Sequence, residues 1–126
     1  MKVWFVGEID DPAKIPALAR RELAAWTGTD HEALPGLRLI ASELVTNALV
    51  HAAAEWVRML LVPERGFWRL TVIDPGRNGL VPHPRVSEET DESGRGLRVV
   101  HDATGGLWGT YRTLVGERVV WALVPR

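Results

Sequence analysis

The chain has 126 residues, a formal net charge of −1 and no cysteine. This length fits one domain with its own core, and the missing cysteine excludes disulfides, thiolate metal sites and cysteine catalysis. The two signs of charge are interspersed, which argues against a nucleic-acid binder, since such proteins present a basic face.

No apolar run approaches the ~20 residues of a membrane span. No secretory h-region is visible, because Glu8, Asp10 and Asp11 follow the first apolar run closely. A soluble, cytoplasmic protein with no membrane contact is expected, as a single domain over residues 1–126. The 15 cations are arginines except for Lys2 and Lys14, a bias that suggests a GC-rich coding sequence. Six tryptophans are many for this length, and most are expected as core or edge anchors.

In chain order, Lys2 to Val6 reads as a first strand. Asp11-Pro12 reads as the N-cap and first residue of a helix carrying Ile15, Leu18, Ala19, Leu23 and Trp26 at helical spacing, ended by Thr27-Gly28-Thr29. Pro35-Gly36 marks the start of a second helix that runs to about Ala53. Val57–Val62 and Phe67–Ile73 read as strands joined by a hairpin at Pro63–Gly66.

From Pro75 to Ser93 the chain is charged, aperiodic and broken by Pro82 and Pro84, which predicts a long loop. Gly94 opens a third helix to about Ala103. After Gly105-Gly106, residues 107–112 and 118–124 read as a closing hairpin turning at 114–117. The order β-α-α-β-β-loop-α-β-β segregates the helices from a largely antiparallel sheet, so the class is α+β in two layers. No G-x-G-x-x-G follows the first strand, and no Walker lysine motif exists.

On the second helix, Leu37, Ile40, Ala41, Leu44, Val45, Ala48 and Leu49 form one apolar stripe. Glu43, Asn47 and His51 are spaced i, i+4, i+8 and line a face beside it. Asn is poorly suited to a helix interior, because its amide competes for backbone hydrogen bonds. Asn47 is therefore a candidate to offer its side-chain oxygen to Mg²⁺, which takes oxygen ligands and keeps several waters. Glu43 is a candidate proton acceptor for an attacking hydroxyl or water. The same residues also suit an ordinary solvated polar face, and His51 suits a structural partner near a helix end.

Asp74-Pro75-Gly76 ends a buried-type strand. A carboxylate there can accept from a purine's exocyclic amine, with Gly76 letting backbone approach a flat ligand; a plain Asp-Pro-Gly turn reads the same way. Gly94-Arg95-Gly96-Leu97 at a helix start leaves N–H groups free for phosphate, and Arg95 can add a charge-assisted hydrogen bond. A simple N-cap at Ser93 is the other reading. The segment at about 75–95 between these two elements suits a nucleotide lid. Each pattern is weak alone; their joint order makes ATP the leading ligand.

Together these motifs resemble the GHKL ATPase superfamily. Glu43 to His51 looks like its N box, Asp74-Pro-Gly76 its first glycine box, and Gly94 to Leu97 its second. Ser42 to Ala48, Gly94 to Leu97 and Leu107-Trp-Gly109 are similar to the small stand-alone, anti-sigma-factor-like serine/threonine kinases. The resemblance implies a Bergerat (histidine-kinase-like ATPase) fold: a mixed, mostly antiparallel sheet with three helices on one face. It implies Asn47 on Mg²⁺, Glu43 as catalytic base, Asp74 on the adenine amine, Gly76 against the base, and Gly94, Arg95, Gly96 and Leu97 around the phosphates of ATP or ADP.

The resemblance also implies phosphorylation of a serine or threonine on an anti-anti-sigma partner, sequestration of a sigma factor to regulate transcription, and a homodimer through the first-strand edge. Two positions depart from the family pattern: Val119 stands where many members have threonine, and Asn78 where the first glycine box has a further glycine. A nucleotide-gated binding regulator without kinase activity is the alternative. A detached sensor histidine kinase catalytic domain ranks last.

Overall fold

The computed structural model describes residues 1–76 and 92–126, apart from the side chains of 92–96. The elements are β1 (Lys2–Phe5), α1 (Ile15–Thr27), α2 (Leu34–Thr46), β2 (Trp56–Glu64), β3 (Phe67–Asp74), α3 (Glu92–Thr104), β4 (Trp108–Arg112) and β5 (Arg118–Pro125). The sheet order is β1-β2-β3-β5-β4. All four pairings are antiparallel, so among the described residues the sheet is not mixed as the resemblance implied. This is an α+β fold of three helices over a five-stranded open sheet.

Alternation along the strands decides which face the helices cover. Val57 and Met59 on β2, Leu70 and Val72 on β3, and Val120, Ala122 and Val124 on β5 are buried. They form one core with Ile15, Ala19 and Leu23 of α1, with Leu37, Ile40, Leu44 and Val45 of α2, and with Val100 of α3. At about 25 cal/mol per Å² of apolar surface, this burial is the main force that holds the two layers together. α2 is the central helix, packed between α1 and α3 and lying on β3 and β5.

The local signals behave as their chemistry requires. The Asp11 carboxylate accepts the Ala13 N–H at 3.1 Å, capping a short 3₁₀ turn over Pro12–Lys14 that runs into α1. Of the tryptophans, Trp4 is buried, and Trp26, Trp68 and Trp108 pack partly buried against the core. Trp56 and Trp121 lie on the opposite face of the sheet, under the guanidiniums of Arg58 and Arg69 at 5.2 Å. No helix among the described residues is long and apolar enough to cross a membrane.

Two helix boundaries differ from expectation. The second helix does not run unbroken to Ala53: α2 ends at Thr46, and Asn47–His51 form a wider π turn. The Ala52 N–H reaches the Asn47 carbonyl five residues back, at 3.2 Å. Such turns insert where the ladder must accommodate a shift, and they are frequent at functional sites. α3 begins at Glu92, two residues before Gly94, so the glycines lie inside its first turns.

Candidate functional site

Three buried polar side chains occur among the described residues: Asn47, Asp74 and Thr104. Thr104 is explained locally, since its hydroxyl donates to the Val100 carbonyl at 2.8 Å. The other two are candidate site residues from the sequence. Buried polar groups are almost always hydrogen-bonded, so their partners decide what they are for.

Asn47 sits at the junction of α2 and the π turn, 7% exposed. Its backbone is satisfied: the N–H donates to the Glu43 and Leu44 carbonyls, and the carbonyl accepts from Ala52. Its amide side chain makes no hydrogen bond to any described residue. Glu43, one turn earlier, is half-buried and is in the same condition. The α-helical bond from Asn47 to Glu43 keeps these two on one face. Beyond Asn47 the wider turn rotates the chain, so His51 leaves the expected i, i+4, i+8 line.

Asp74 is different. It ends β3 on the face under the helices, two residues after buried Val72, and is 2% exposed. Its Oδ1 accepts the Gly76 N–H at 2.8 Å, closing the Asp-Pro-Gly turn. Its Oδ2 accepts the Nε–H of Arg118 at 2.9 Å. Arg118 opens β5 and lies directly opposite Asp74 in the sheet, and its side chain is 28% exposed. Charge-assisted bonds of this kind are among the stronger ones in proteins.

Gly76 has φ +70, a left-handed conformation that favours glycine. A side chain there would stand 2.6 Å from both Arg112 Nη1 and the Gly116 carbonyl, so the β4–β5 turn packs against this glycine. Val119 is one residue beyond Arg118 and therefore faces the opposite side of the sheet from Asp74. The position next to the Asp74 carboxylate belongs to Arg118, which sequence reasoning missed. The β3–β5 register sets that contact, and no local pattern in the sequence reports it.

α3, which carries Gly94 to Leu97 in its first turns, packs against α2 and against the π turn that begins at Asn47. The N–H groups of a helix's first turn have no intrahelical partner and can bind anions. The side chain of Arg95 and most of the expected lid, residues 77–91 with Asn78, lie outside the described residues. Among the described residues no cluster of three or more His, Asp or Glu could hold a metal ion. The donor set that fits a divalent cation here is one amide oxygen supplemented by phosphate and water oxygens, a usual Mg²⁺ shell.

Comparison with known proteins agrees with this architecture. The family described as "Histidine kinase-like ATPase domain" matches residues 10–120. Among solved structures, a blue-light activated histidine kinase from Erythrobacter litoralis EL346 is similar, with a TM-score of 0.54 and 22% sequence identity over 86% of this chain. The match covers 43% of that protein, so the chain spans less than half its length. At this identity the likeness is one of fold. No curated protein matches.

Proposed function

The chain belongs to the histidine kinase-like ATPase domain family, and from that premise we propose that it is a cytoplasmic, ATP-binding regulator that phosphorylates a serine or threonine of an anti-anti-sigma partner and controls transcription by sequestering a sigma factor. The observation that carries the nucleotide site is Asn47, a nine-tenths buried amide with no hydrogen-bond partner among the described residues. Its amide is not one of the sealed, unpartnered atoms among the described residues, so it stays open to a ligand or to water. A family whose fold is built around a nucleotide gives an open amide on a buried residue a reason.

In this reading Asn47 holds Mg²⁺ through its side-chain oxygen. The ion, when bound, neutralises phosphate charge. Glu43, one helical turn away and free of protein partners among the described residues, accepts the proton of the attacking hydroxyl. Phosphoryl transfer asks little more of a protein than position and charge, so one base of this kind suffices. The free N–H groups of the first turn of α3, which includes Gly94 and Arg95 with Gly96 and Leu97 directly behind, hold phosphate oxygens, and the Arg95 side chain adds a cation. Asp74 accepts from the base. β1, at the edge of the sheet, is where a second copy would pair.

The test is transfer of labelled phosphate from ATP to a serine-bearing partner with magnesium present. Transfer that depends on Glu43 supports the kinase. Nucleotide binding without transfer supports the second reading, a nucleotide-gated regulator with no kinase activity.

A further inference from the structure

The strand side of the site sets an acceptor next to unused donors. Asp74 accepts one bond on each oxygen, from the Gly76 N–H at 2.8 Å and from Arg118 Nε at 2.9 Å. A carboxylate has about four lone-pair sites, so it can still accept from a ligand. Arg118 spends only Nε on Asp74, and neither of its Nη groups bonds to a described residue. Those two groups carry most of the donors of a guanidinium. Arg118 lies directly opposite Asp74 across β3 and β5, so strand alternation puts both side chains on the face under the helices.

Neighbouring groups do not compete for this place. The rest of β5, from Val119 to Pro125, is apolar, so Arg118 is the polar group that this strand brings to the site. Arg112 faces Arg118 across β4 and β5 but serves the turn. Its Nη1 donates to the Gly116 carbonyl at 3.2 Å and packs under Gly76.

A 6-amino purine shows its exocyclic N–H donor with a ring-nitrogen acceptor on either side, N1 or N7. A carboxylate meets the amine and leaves that neighbouring nitrogen to whatever stands beside the carboxylate. Here that is a cation with free N–H groups, and a charged donor makes a stronger bond than a neutral one. A 6-oxo purine sets its carbonyl oxygen against the carboxylate at either edge, so the same pair rejects it.

We infer that Arg118 is a second base-reading residue: while Asp74 holds the exocyclic amine of adenine, an Nη group of Arg118 donates to the ring nitrogen beside it. Two contacts on one edge fix the orientation of the base, whereas a single bond to the amine lets it turn. This rests on the nucleotide site proposed above and adds to it a specificity-determining residue.

Titration calorimetry with magnesium, using ATP, 1-deaza-ATP and 7-deaza-ATP, tests it. Each analogue keeps the amine and lacks one of the two ring acceptors. One of them is expected to bind the unaltered chain about tenfold or more weakly than ATP, the size of a hydrogen bond to a charged group. In Arg118→Met, which keeps reach but removes every donor, that analogue is expected to bind as ATP does. An Arg118 that only supports the fold would weaken ATP and the analogue together and leave their ratio as it was. Arg118→Lys keeps the charge but loses the fork. It is expected to give an intermediate ratio and serves as the readout where the Met variant does not fold. Equal binding of ATP and both analogues by the unaltered chain, or a ratio that the variants leave unchanged, overturns the inference and leaves the nucleotide site standing. No heat with ATP overturns the nucleotide site itself.

Discussion

The helix side and the strand side of the candidate site solve burial in opposite ways. Asn47 is buried without a side-chain partner among the described residues. Asp74 is buried more deeply and has a bond on each oxygen. Burying a polar group costs free energy unless it is hydrogen-bonded. Asp74 has met that cost inside the protein, so its removal should be felt by the fold. The Asn47 amide has no protein partner among the described residues and is not sealed from solvent, so its removal should be felt by a ligand. The difference separates a polar group that the fold itself also uses from one open only to a ligand, even though both looked alike in the sequence.

Four substitutions can break or sharpen this contrast. The largest effect is expected from Glu43→Gln, which keeps shape but cannot take a proton. Transfer should fall by about 10²–10⁴-fold, with nucleotide affinity retained, as read by labelled transfer and calorimetry side by side. Intact transfer would remove Glu43 from the chemistry.

Asp74→Ala should destabilise the fold by about 2–3 kcal/mol, less than a fully buried pair because the Arg118 side chain keeps 28% of its exposure to solvent. A urea melt reads it. Gly76→Ala should cost about 1–3 kcal/mol in the same assay, since it combines a left-handed φ with a contact against the Gly116 carbonyl, which is backbone and cannot swing aside.

Asn47→Ala is the smallest in stability and the sharpest in meaning. The melt should be unchanged or improved by about 0.5 kcal/mol, because Ala is the better helix former. Magnesium-dependent nucleotide binding should weaken by about tenfold or more. A loss of stability equal to that of Asp74→Ala would show that the two regions are alike after all.

Much of this was legible in the chain. The stripe of α2 could be read from spacing, and Leu37, Ile40, Ala41, Leu44, Val45 and Ala48 are all buried. The β2–β3 hairpin could be read from Pro63–Gly66, and the register confirms a tight turn with Glu64 opposite Phe67. The break of α2 into a π turn was not legible, because Ala48, Leu49 and Val50 are unexceptional in an α-helix. Gly94 as a helix opener places the start of α3 two residues late, because the helix begins at Glu92.

The sequence by itself determined the order of elements, the class of fold, and which polar residues are out of place on apolar elements, because hydrophobic period and turn chemistry are local. Only the tertiary structure decided that Arg118 stands against Asp74. Those residues are 44 positions apart, and no local pattern reports which strand a β-strand will choose as its neighbour. The pairing of β3 with β5 made that choice, and with it set the charge at the end of the sheet.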